Sequence, residues 1–162
     1  MKHFKKIRFL LIGMVLIVSC EKDNICIDET TPHLIIRFYN SDDTSKLKGV
    51  TNLKVAVQNS LDEIIEIGSV ATKDSIAIPL NVDTDFSKIY LTKNVNDTSD
   101  GIEDSFEVNY TREEVFVSRS CGYKTLYNNV SITNSTYNWI DNFSLLTTRI
   151  SDENNAHINI FH

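Results

Sequence analysis

Glycine and proline are scarce in this chain, five and two in 162 residues. That excludes a collagen-like or low-complexity protein. Long apolar stretches are lacking as well. The most apolar segment, Phe9 to Val18, covers about half of the roughly 20 residues a helix needs to cross a bilayer. Histidine occurs four times, at His3, His33, His157 and His162. The last two stand five apart and would point to opposite faces of a strand, so no converging set of zinc ligands emerges. There is no nucleophile elbow, phosphate loop, HExxH or CxxC. No residue is singled out as catalytic and no cofactor is expected.

What is present begins at the N-terminus. Lys2, Lys5, Lys6 and Arg8 form a basic start, the apolar segment follows, and Ile17-Val18-Ser19-Cys20 closes it. This order is that of a cleaved targeting segment. The small Ser19 before Cys20 resembles a bacterial lipobox, in which the cysteine is acylated and becomes the new N-terminus. The expected organisation is a signal peptide over 1–19, lipidated Cys20 and a short tether over 20–32, and one domain over 33–162. Two or more acyl chains hold a protein stably on a membrane, so the membrane is the first expected partner, through lipid on Cys20.

Cleavage would remove four basic and no acidic residues, leaving 12 basic against 22 acidic side chains, a formal charge of −10. Such a field repels nucleic acid, which is excluded as a partner.

Two further cysteines, Cys26 and Cys121, remain for an oxidising compartment. They are a disulfide candidate, the alternative being two separate buried thiols. Closing so long a loop would be worth roughly 4 to 5 kcal/mol by chain entropy. A bonded Cys26 would leave five residues between lipid and fold, a reach below roughly 20 Å.

The rest of the chain alternates with period two. Leu34, Ile36 and Phe38; Leu53, Val55 and Val57; Ile76, Ile78 and Leu80; Phe106, Val108 and Tyr110; and Ile158 and Ile160 each interleave with more polar neighbours. Such alternation marks half-buried strands. Further apolar runs lie at 64–67, 89–91, 115–117, 123–127 and 143–150. The expectation is an all-β fold, a single antiparallel β-sandwich or small barrel of about nine or ten strands, with Greek-key connections. Pro79 belongs on an edge strand or at a strand end. Lys93 to Asp104 reads as a loop by composition.

Several constellations carry possible chemistry. Asn96, Thr98, Asp100 and Glu107 stand at positions 1, 3, 5 and 12 of a calcium-type loop, with Gly101 at position 6. An acidic hairpin loop is the simpler account, since position 1 is Asn, position 8 is Glu103 and strands flank the segment. Asp42-Asp43 and Asp83-Asp85 are paired carboxylates of the kind glycosidases use, at places where turns are expected. Arg37, Arg112 and Arg119 would make an anion patch or else pair with carboxylates across strands. Trp139, Tyr137 and Tyr127 would make an aromatic platform or else belong to the core.

The run CEKDNIC, then TPHLIIRFYN, DSIAIPL and YTREEVFVSRSCGYKTLY, resembles a family of small Bacteroidetes lipoproteins known only as a domain of unknown function. The likeness spans nearly the whole chain, with VFVSRSCG and DSIAIPL its most specific parts; the family often carries Arg at the position of His33. It implies a phylum and an architecture, and no activity. Within that phylum, Lys and acidic residues after the lipidated cysteine resemble a surface-export signal, partly matched by Glu21-Lys22-Asp23-Asn24. Asp74-Ser75-Ile76 is similar to the phylum's O-glycosylation acceptor.

The functional expectation is a lipid-anchored module of the outer envelope, on the cell surface rather than its periplasmic face. It would bind a protein or glycan partner without catalysis. The alternative is an enzyme acting on envelope glycan or peptide.

Overall fold

The computed structural model describes Cys26, residues 30–96 and residues 100–162. Among these there is no helix. Ten strands occur: β1 (Leu34–Tyr39), β2 (Val50–Gln58), β3 (Ile64–Lys73), β4 (Ser75–Ile78), β5 (Phe86–Lys93), β6 (Ile102–Ser118), β7 (Gly122–Thr133), β8 (Asn142–Leu145), β9 (Arg149–Ile150) and β10 (Ile158–Phe161). They form a four-stranded sheet in the order β4-β1-β10-β8 and a six-stranded sheet in the order β3-β2-β5-β6-β7-β9. The two pack face to face as a β-sandwich.

The alternation read from the sequence fixes the inner faces. Leu34, Ile36 and Phe38 of β1 and Ile158 and Ile160 of β10 are fully buried, as are Leu53, Ile89, Leu91, Phe106 and Val108 of the opposite sheet. Each such side chain stabilises the fold by about 1.5–3 kcal/mol relative to exposure. Trp139 and Tyr127 join this core.

The structure departs from the expected pattern in four places. First, β1 and β10 pair in parallel, with Ile36 opposite Ile158 and Phe38 opposite Ile160. Parallel neighbours need a long connection, and here everything between the first and last strands serves as it. Second, the runs at 106–110 and 115–117 belong to one 17-residue strand, β6. Third, the run at 143–150 divides into β8 and β9, which lie in different sheets. Fourth, the expected loop over Lys93 to Asp104 is shorter, because β6 already starts at Ile102.

The sheets exchange chain at both sides. From β3 to β4 only Asp74 intervenes; its carbonyl accepts from Phe38 N–H at 2.9 Å. On the other side, residues 146–148 carry β8 into β9. Beyond Asn109, β6 has left β5 behind, and β9 flanks β7 only at Tyr127 and Asn128, opposite Arg112 and Thr111. Past these residues the ends of β6 and β7 project as a two-stranded arm. At its base Asn129 adopts φ 54 where the β6–β7 register shifts, and at its tip Gly122 has φ 72. Pro79 follows β4, an edge strand, as expected.

Candidate functional site

The β3–β4 corner builds the feature of the surface that best suits binding. The strands diverge after crossing between sheets and leave a cleft of about 230 Å³, lined by Val55, Ile67, Gly68, Lys73, Ser75, Ile76 and Ala77. Gly49 allows the close approach behind the corner, since a Cβ there would sit 2.7 Å from Thr72 Cγ2. β3 is the terminal strand of its sheet. Its pairing passes from Val55–Gly68 to Ala56–Glu66, so Ile67 is a bulged residue without an opposite number. Ile64, Ile65 and Ile67 are exposed, as is Leu61 in the preceding turn. An extended chain laid along this edge would meet backbone donors and acceptors, apolar side chains and a recess beside them.

A second recess of about 250 Å³ is lined by Thr30, Pro32 and Ser151 to Asn154. At its rim Glu153 accepts from the His33 backbone N–H at 2.8 Å and contacts His33 Nδ1 at 2.6 Å. These bonds hold the Glu153 carboxyl below its ordinary range. Nearby, His157 is 4% exposed. Its Nδ1 accepts from Ile35 N–H at 2.9 Å, so the ring proton is on Nε2 and is donated to the Asp152 carbonyl at 3.0 Å. Burial lowers the His157 pKa, against the pull of Asp152 and Glu153.

The most deeply placed carboxylate, Asp104, was not singled out from the sequence. It is fully buried on β6. Its Oδ1 accepts from Asn138 N–H and Thr136 Oγ1, and its Oδ2 from Trp139 and Ile140 N–H, all at 2.7–2.9 Å. Burial pushes its pKa up, but these four donors prevail and hold it below 3.8. Trp139 Nε1 donates in turn to the Leu91 carbonyl at 3.1 Å. A carboxylate so occupied fastens the loop between β7 and β8. Likewise Tyr110 Oη donates to the Asn81 carbonyl and accepts from Ser87 Oγ, both at 2.7 Å, tying the crossover between β4 and β5. Burial lifts Tyr110 and Tyr127 to about 12.

Of the residues singled out from the sequence, Cys26 and Cys121 are brought together as a disulfide, with Cα atoms 4.9 Å apart. Cys20, the signal peptide and most of the tether lie outside the described residues, as does Thr98. Asn96 and Asp100 flank that gap, while Glu107 sits inside β6, opposite Lys88, accepting from Asn134 Nδ2 at 2.6 Å. Asp43 accepts from Ser45 and Lys46 within its own turn, and Asp83 and Asp85 lie in the β4–β5 crossover. Arg112 bonds Asp85 at 2.9 Å and the Val82 carbonyl, and is therefore a pairing residue. The aromatic platform is not formed: Trp139 and Tyr127 are core and only Tyr137 is exposed. Ser75 lines the β3–β4 cleft.

A family model described as a family of unknown function (DUF6452) matches residues 52–162. No curated protein and no solved structure matches the chain.

Proposed function

The chain belongs to this family of unknown function, and we propose that it is a non-catalytic binding or accessory module, anchored to the outer membrane through lipid on Cys20. It is exposed at the cell surface in preference to the periplasmic face, in an envelope of the Bacteroidetes type. Its partner is a protein that contributes an extended segment to the β3 edge.

The observation that carries this reading is the state of that edge. Edge strands are ordinarily blunted by charge, proline or shortness. β3 has ten residues, no proline, and three exposed isoleucines with Glu66 as the one charge among its first nine residues. Strand addition draws affinity from backbone bonds and specificity from recesses that take alternate side chains. The β3–β4 cleft supplies such a recess.

The enzymatic alternative finds less support. A glycosidase pair needs one carboxylic acid kept protonated by a raised pKa. Among the described residues, the carboxyl groups with displaced pKa values, Asp43, Asp104, Asp152 and Glu153, are displaced downward.

The test places a photocrosslinking side chain at Ile65 in the cell-borne protein. A discrete protein adduct is expected, lost when Ile67→Lys puts a charge on the edge and retained when Leu146→Lys puts one elsewhere. Absence of any adduct at Ile65, together with release of fragments from envelope glycan by the purified domain, would replace this reading with the enzymatic one.

A further inference from the structure

We propose that the tip of the β6–β7 arm rests on the bilayer, with Phe116 and Tyr123 seated among the lipid headgroups. This deepens the anchoring reading and rests on lipidation of Cys20.

The disulfide decides where the tether leaves the domain. Cys121 lies in the turn between β6 and β7, at the arm's tip, and its bond holds Cys26 there. Thr31 Oγ1 accepts from Thr125 N–H at 3.0 Å, so the chain also meets β7 shortly before β1 begins at Leu34. Cys20 is six residues before Cys26, a span of roughly 20 Å at full extension. The arm itself projects about 20 Å at strand rise over residues 113–118. A lipid on Cys20 therefore brings the tip to the membrane before any other part of the sandwich.

The tip has the chemistry of an interfacial contact. Phe116 and Tyr123 stand directly opposite each other, their rings 5.4 Å apart and edge to face. They are 56% and 68% exposed, which is unusual for two adjoining large aromatic side chains. Aromatic rings of this kind collect at the headgroup level of membranes. The charges over residues 115–124 are Arg119 and Lys124, with no acid, although the whole chain has a formal charge of −6. Cations suit the phosphates of the headgroup layer. The acids Glu113 and Glu114 lie farther back, toward the body of the sheet.

The experiment uses the mature lipoprotein in vesicles of phosphatidylethanolamine and phosphatidylglycerol that include brominated lipid. Indoles are introduced by Tyr123→Trp and, on the facing strand, by Phe116→Trp; Tyr137→Trp is the control on the body. The native Trp139 is buried and serves as the reading of the fold. Loss of emission is expected for either tip variant with bromines near the headgroups, and none for the control. Tip emission that survives while the protein floats with the vesicles and carries its acyl mass overturns the contact but leaves the anchor standing. This is also the result if the tip instead meets a membrane protein. A protein without acyl mass that fails to float removes the anchor, and the contact with it.

Discussion

Asp104 joins two parts of the sandwich through a fully buried carboxylate. Its four donors come from Thr136 to Ile140, the stretch that passes from β7 in one sheet to β8 in the other. Asp104→Ala would strand three backbone N–H groups in the core, at a cost on the order of 3–5 kcal/mol. Asp104→Asn, which keeps one accepting oxygen, should lose less. Urea unfolding followed by Trp139 emission measures both. Nothing in the sequence disclosed this role. An acid beside Glu103 at the end of a polar segment reads as loop, and burial of a charge depends on donors that arrive from 35 residues away. His157 yields a second prediction at this scale. Unfolded, it takes up a proton near 6.5; folded, its pKa is lower because burial disfavours the charged ring, against the pull of Asp152 and Glu153. Below 6.5 the unfolded state thus binds more protons, and stability falls as pH drops toward the folded value. His162 shifts the same way. His157→Asn, which can keep an acceptor near Ile35, should give a shallower loss of stability between about pH 7.5 and pH 5, read from urea midpoints.

Among the elements, the arm is the most independent. Its two strands pair with one another, Thr31 joins it at Thr125 and Arg149 at Glu113, and the Cys26–Cys121 bond ties its tip. Reduction, or Cys26→Ser, should leave Ile89 and Leu91 amides protected from hydrogen exchange while those of Tyr123 and Lys124 exchange freely. Unchanged protection at the tip would show that β6–β7 pairing suffices alone. The arm also explains why the sequence divided β6 in two. Thr111 to Glu114 face solvent on both sides, so alternation, which reports a buried face, disappears there. By contrast β1, β10 and the first half of β6 were legible because each has one dry face. The β3 edge was legible as apolar, at 64–67, but the cleft beside it was not. It arises from the corner at Asp74, and no local pattern encodes the angle at which two sheets part.

At the scale of the molecule, periodicity told which residues face inward but not which strands are neighbours. The parallel β1–β10 pair shows the gap most clearly, since its partners are 122 residues apart. β10 lies between β1 and β8, so without it the four-stranded sheet has no centre. Truncation after Ala156 should therefore abolish cooperative unfolding altogether, with Trp139 emission shifted to that of an exposed indole. A truncated chain that still melts in one sharp transition would mean the six-stranded sheet is self-sufficient.

That same pairing sets a clock. A chain threaded through an export channel from its N-terminus presents β1 first and β10 last. Until Ile158 to Phe161 emerge, β1 has beside it the four residues of β4 and the Leu47 bridge at Tyr39, with its other side open. The sandwich cannot close around the moving polypeptide and jam its passage. For the exported lipoprotein proposed above, closure of the four-stranded sheet waits for β10, and completion of translocation becomes the event that licenses the native state.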